Sequence, residues 1–174
     1  MKKNSALCSL SLLLVLAATG FGMSPEERLS DLGLTLPEVA PAVANYVPVV
    51  RTGNLVFLAG HLPRHEDRSV VTGRVGESVN PEEANDAARQ TALELLATLR
   101  AEVGDLSKVR RIVRVEGYIN STDDFTGQSG VMNGCSDLLV EVFGEAGRHA
   151  RLAIGVNTLP LGAVLEIALV AEVD

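Results

Sequence analysis

The chain has 174 residues, 47% hydrophobic and 21% charged, enough for one domain with its own core and short for two. Its formal net charge of −7, with only 3% aromatic residues and no Trp, lacks the basic footprint and the stacking platform that nucleic-acid binding needs. Two cysteines, Cys8 and Cys135, provide no disulfide framework if the first lies in a removable leader.

Lys2-Lys3, an apolar run from Ala6 to Ala18 and then Ala18-Thr19-Gly20 match the three zones of a secretory signal peptide. The run is short of the roughly 20 apolar residues of a membrane span. Either residues 1–22 are such a leader, which makes the protein exported and periplasmic, or translation begins at Met23 and the protein is cytoplasmic. In both cases residues 23–174 are expected to form a single domain.

Ser24-Pro25-Glu26-Glu27 signals a helix start, with Ser as N-cap and Pro in the first turn, and Gly33 ends the helix after Leu32. Pro37, Pro41 and Pro48 favour extended chain. Tyr46 to Val50 and Leu55 to Ala59 flank Arg51-Thr52-Gly53-Asn54, a β-hairpin pattern with Pro48 placing the first run at an edge. Short β segments are expected at Val70-Val71 and Arg74-Val75. Asn80-Pro81-Glu82-Glu83 opens the clearest helix, with a capping-box carboxylate at Glu83. Ala84, Ala88, Ala92, Leu95, Leu99 and Val103 recur at helical spacing before Gly104. Val109 to Ile119 is β-branched and reads as a strand. A second long helix is expected from Gly130 to Phe143, with Val131, Cys135, Leu138, Leu139 and Val142 inward, so that Cys135 is a buried thiol rather than a nucleophile. Strands Ala150–Val156 and Ala163–Val173 complete the chain. Strands in both halves with two helices between them predict an α+β fold, a mixed β-sheet with both helices packed on one face. The apolar residues left on the other face suit an oligomer interface.

Candidate chemistry is sparse. His61, His65, Glu66 and Asp67 could chelate on a loop, but Pro63 keeps the histidines off one helical face, and a solvated loop is the plainer reading. There is no phosphate loop, no G-x-S-x-G and no Cys/His/Asn set. Two charges stand out against apolar strands. Glu166 interrupts Val164 to Val170, and Arg151 heads Leu152-Ala153-Ile154-Gly155-Val156. Each needs a partner or a task, because an unpaired buried charge is costly. They could satisfy each other, or Arg148 could be involved. Alternatively Arg151 offers a planar fork for a carboxylate while Glu166 orients or deprotonates water. Alternation places Arg151 with Ala153 and Gly155, small neighbours that would leave room for a ligand.

Tyr46-Val47, Thr52-Gly53-Asn54-Leu55, Ala59-Gly60-His61-Leu62-Pro63, Gly104-Asp105-Leu106, Asp124-Phe125, and Arg151 followed by Leu159-Pro160 and Glu166 resemble the Rid/YjgF family, also called endoribonuclease L-PSP or chorismate mutase-like. The likeness runs from about Tyr46 to Val173. Glu27-Arg28-Leu29 with Leu32-Gly33, and Gly147-Arg148-His149-Ala150-Arg151, look like a longer-headed subgroup. The resemblance implies a chorismate mutase-like fold and a homotrimer with clefts between subunits. It further implies hydrolysis of 2-imino or enamine acids to 2-keto acids and ammonia, without a cofactor. Arg151 would then anchor the substrate carboxylate and Glu166 would orient water. Tyr46, Asn133 and the Gly60 backbone N–H would line the cleft. The residues alone leave Tyr46 as a strand residue and Asn133 as a cap or turn at the helix start. Where deaminating relatives carry Ser and Cys, this chain has Ala59 and Ala153. The implied partners are a small carboxylate-bearing imine, enamine or keto acid and further copies of the chain. A carboxylate-binding module without turnover, and an endoribonuclease, are the alternatives.

Overall fold

The computed structural model describes residues 22–39 and 44–174. The leader reading of residues 1–21 and the extended reading at Pro41 lie outside them. Helix α1 (Pro25–Asp31) starts at a full capping box: Glu27 N–H donates to Ser24 Oγ, and Ser24 N–H donates to the Glu27 carboxylate at 2.7 Å. The hairpin follows as β1 (Val49–Thr52) and β2 (Leu55–His61), joined at Gly53-Asn54, where Gly53 takes φ +59°. Helix α2 (Pro81–Val103) repeats the capping box at Asn80 and Glu83 and stops at Gly104. Strand β3 (Val109–Asn120), helix α3 (Gln128–Phe143), β4 (Ala150–Val156) and β5 (Leu165–Val173) complete the order.

The strands form one sheet in the order β1-β2-β5-β3-β4, antiparallel throughout except for the parallel β3–β4 pair. Alternation along β5 sends Leu165, Ile167, Leu169, Ala171 and Val173 inward. Against that face lie both long helices, with Ala88, Leu95, Leu99, Cys135, Leu138 and Leu139 all fully buried. The expected α+β architecture is therefore present, and α1 adds a third helix against α3. Two close approaches fix the layer. A Cβ at Gly117 of β3 would strike the Met132 thioether of α3, and one at Gly134 of α3 would strike the main-chain carbonyl of Asn85 in α2.

The second face carries Phe57, Val170, Arg114, Glu116, Tyr118, Glu166 and Ile154, by register with one another. Val50, Phe57 and Ile154 are exposed there. Among the described residues no helix is long and apolar enough to cross a membrane.

Three expectations change in detail. The segments at Val70-Val71 and Arg74-Val75 form isolated bridges (Arg64 with Val70, Thr72 with Ala163, Val75 with Ser121) rather than a strand. Gly73 (φ +137°) and Gly76 (φ +89°) bend the chain out of register there. Strand β1 begins at Val49, after Pro48, and β5 begins at Leu165 because Leu159 to Gly162 form a tight turn with Leu161 at φ +59°. Cys135 is a buried helical thiol as expected, its pKa pushed up to about 12 chiefly by desolvation.

Candidate functional site

Arg151 lies on edge strand β4, in register with Val115 of β3, which pairs in turn with buried Leu169 of β5. Its side chain therefore leaves the sheet on the helix-covered side. There Nη1 donates to Asn133 Oδ1 at 2.9 Å and to Ser136 Oγ at 3.1 Å, both on α3. Asn133 is thus an exposed residue of the helix body, not a cap. The Nε and Nη2 edge of the guanidinium has no hydrogen-bond partner among the described residues, and that edge is the planar fork a carboxylate fits. Arg151 does not pair with Glu166, and Arg148 is held instead by Glu145 at 3.0 Å. The small neighbours serve packing rather than a ligand. Ala153 packs against the core, and a Cβ at Gly155 would come within 2.7 Å of Ser121 Oγ and 3.0 Å of Gln128 Nε2.

Glu166 projects from the opposite face. Tyr118 is its neighbour across the strands, and Ile154 lies beyond it in the same row. Gly60 lies directly beneath its carboxylate, where the β2–β5 register shifts between Leu58 and His61. The bulge turns the glycine toward Glu166, and only a residue without a side chain leaves that carboxylate its place. Half-buried Glu166 accepts no hydrogen bond among the described residues, and desolvation raises its pKa above 4.5. Burial also raises the Tyr118 pKa, with Glu116 adding to it through a 3.2 Å bond from the phenol.

Tyr46 is 52% exposed and precedes β1, at the far edge of the sheet from Arg151. Four inter-strand steps of about 4.8 Å separate β1 from β4, roughly 19 Å. One chain therefore pairs Gly60 with Glu166 and Asn133 with Arg151, but does not bring the two pairs or Tyr46 together. Tyr118 and Ser136 were not singled out from sequence, and His149 stood there only within the subgroup motif Gly147 to Arg151, without a role. Ser136 is one helical turn from Asn133, and His149 precedes Arg151 by two residues, so both spacings were present to be read.

His61, considered with His65 as a loop chelator, is the last residue of β2 and points into the helix layer. Its Nδ1 meets the Ala59 carbonyl at 2.8 Å and its Nε2 meets Thr98 Oγ1 at 2.7 Å, while burial lowers its pKa. No cluster of His, Cys, Asp and Glu suited to a metal occurs among the described residues.

The family model described as "YjgF/chorismate mutase-like, putative endoribonuclease" matches residues 26–173. The chain belongs to this YjgF family. Within the family, protein TCP17 of Trypanosoma cruzi is 42% identical over 148 residues, covering 84% of this chain and 92% of that protein. The crystal structure of Atu1372 from Agrobacterium tumefaciens shares 43% identity and superposes with a TM-score of 0.79, over 86% of this chain and 94% of that one. A Shewanella oneidensis structure described as a "putative endoribonuclease" gives 35% identity and a TM-score of 0.84, over 87% and 100%. The YjgF match begins at residue 26 and so takes in all of α1 but Pro25, within the head noted in the sequence.

Proposed function

We propose that the protein hydrolyses reactive 2-imino or enamine acids to 2-keto acids and ammonia, in clefts between the subunits of a homotrimer. The observation that carries this reading is Glu166: a half-buried carboxylate with no partner among the described residues, seated on a glycine, its pKa raised by desolvation. In its ionised form such a group can take a proton from an attacking water. The substrate carboxylate lies on the free Nε/Nη2 edge of Arg151, whose other side Asn133 and Ser136 hold. Water adds to the imine carbon, and its proton passes to Glu166 and then to the nitrogen. The resulting hydroxyl gives up the water's second proton to the nitrogen by way of the same carboxylate as the C–N bond breaks, so ammonia leaves and the ketone remains. An enamine first takes a proton at its β-carbon and loses one from its nitrogen to become the imine. The activated C=N bond makes a cofactor unnecessary.

Arg151 and Glu166 occupy opposite faces of one sheet, so a shared cleft requires two copies, with the β4 edge of one beside the open face of the next. Exposed Val50, Phe57 and Ile154 give that contact an apolar surface. Tyr46 and the Gly60 N–H line the same cleft. The family's endoribonuclease description fits less well, since a net charge of −7 opposes a polyanion.

The test generates 2-iminopropanoate in situ and follows its decay with added protein. Acceleration by wild type that Glu166→Gln and Arg151→Ala each reduce by at least about a hundredfold supports the reading. No acceleration by wild type, with pyruvate still bound, would leave a carboxylate-binding module instead.

A further inference from the structure

Behind Arg151 runs a short polar chain with a defined direction. His149 is half-buried between the turn at Gly147 and helix α3. Its Nδ1 lies 2.7 Å from the Gly147 carbonyl, which can only accept, so Nδ1 carries the hydrogen. In the neutral ring Nε2 is then an acceptor, and it stands 3.1 Å from Ser136 Oγ. The Ser136 hydroxyl donates to that nitrogen. Its oxygen lone pairs thereby face the other way and accept from Arg151 Nη1 at 3.1 Å.

We propose that His149 and Ser136 act as positioning residues for Arg151, forming a relay that aims the free edge of its guanidinium at the substrate carboxylate; this rests on the anchor role given to Arg151 above. A guanidinium offers hydrogens only, so a serine hydrogen turned toward it would repel it. His149 gives that hydrogen a destination. Asn133 Oδ1 takes the other hydrogen of Nη1, so the two contacts fix the plane of the fork. Gly147 completes the arrangement. A Cβ there would strike the Leu139 carbonyl, so only glycine lets the turn close on α3 and present its own carbonyl to the imidazole. Burial lowers the pKa of the ring and so favours the neutral form, the Gly147 bond opposes this, and the Arg151 charge adds to the lowering.

The experiment combines pyruvate titration with nitrogen-15 spectra of the full chain, for wild type and five variants. Long-range spectra of the imidazoles are expected to show His149 with its hydrogen on Nδ1. Ser136→Ala and His149→Phe should each weaken pyruvate about tenfold. Ser136→Thr keeps the hydroxyl and His149→Gln keeps an acceptor near the Nε2 position, so both should stay within about threefold of wild type. A purely structural role would instead follow thermal stability and show no rescue. A hydrogen on Nε2, or wild-type affinity in both Ser136→Ala and His149→Phe, overturns the relay. If Arg151→Ala binds pyruvate as wild type does, the anchor reading falls by itself. The relay is then decided by the ring nitrogens and by whether Ser136→Ala loosens the Arg151 guanidinium in nitrogen-15 relaxation.

Discussion

The Glu166 carboxylate occupies the space that a side chain at position 60 would fill. A bulge in β2 and an isolated charge in β5 are therefore one feature: the glycine is what allows the glutamate to lie flat on the open face.

Gly60→Ala should consequently displace Glu166 while leaving the fold in place, because the clash is with the far end of a flexible side chain. Imine hydrolysis is expected to fall at least about tenfold with a change in Tm of only a few degrees. Activity equal to wild type would show that the carboxylate's position does not matter.

The raised pKa of Glu166 makes two connected statements about pH. Water activation needs the ionised form, so the acid limb of the rate profile should have its midpoint above 4.5, the ordinary value. The folded chain binds this proton more tightly than the unfolded chain, so the contribution to stability is fully present below pH 4.5 and is lost as pH rises through the folded-state pKa. Glu166→Gln should remove that part of the stability slope. Carbon-13 titration of the side-chain carboxyl checks both, and a midpoint at or below 4.5 contradicts them.

Gly134→Ala tests the layer that carries the site. Alanine in a helix interior normally gains about 1 kcal/mol over glycine. Here the new methyl would meet the main-chain carbonyl of Asn85, which cannot rotate away, so α2 and α3 must separate. A net loss of about 2 kcal/mol is expected, seen as a fall in Tm of about 4–8 °C. An unchanged or raised Tm would mean that the helices part at little cost.

Arg68 and Glu94 form a two-point ion pair, Nη1 to Oε1 and Nη2 to Oε2, that ties the loop after β2 to α2. Glu94 is 8% exposed, so Arg68→Met strands a buried carboxylate. The Arg68 side chain is 38% exposed, which lets water replace part of the lost interaction and limits the cost to about 1–2 kcal/mol by urea unfolding. The double variant with Glu94→Leu should recover most of it. Equal stability of wild type and the single variant would count against the pair.

Much of the architecture was legible because it depends on neighbours in sequence. Ser24 with Glu27 and Asn80 with Glu83 are capping boxes at the three-residue spacing, and the inward faces of α2 and α3 follow helical period. Arg151 and Glu166 were readable because each is a charge breaking an apolar strand, and the likeness to the YjgF family because its motifs are short runs of neighbouring residues.

What only the tertiary structure decided is which face each charge takes and what lies against it. Alternation placed Arg151 with Ala153 and Gly155, but whether those small residues face a ligand or a helix depends on the pairing of β4 with β3, two segments 30 or more positions apart in sequence. The pairing turns them to α3, so their smallness accommodates packing. In the same way the β2 bulge, invisible to local pattern, joins Gly60 to Glu166, and the turn at Gly147 brings His149 to Ser136. Local chemistry determined the elements and the unusual residues. Long-range register determined which of them meet.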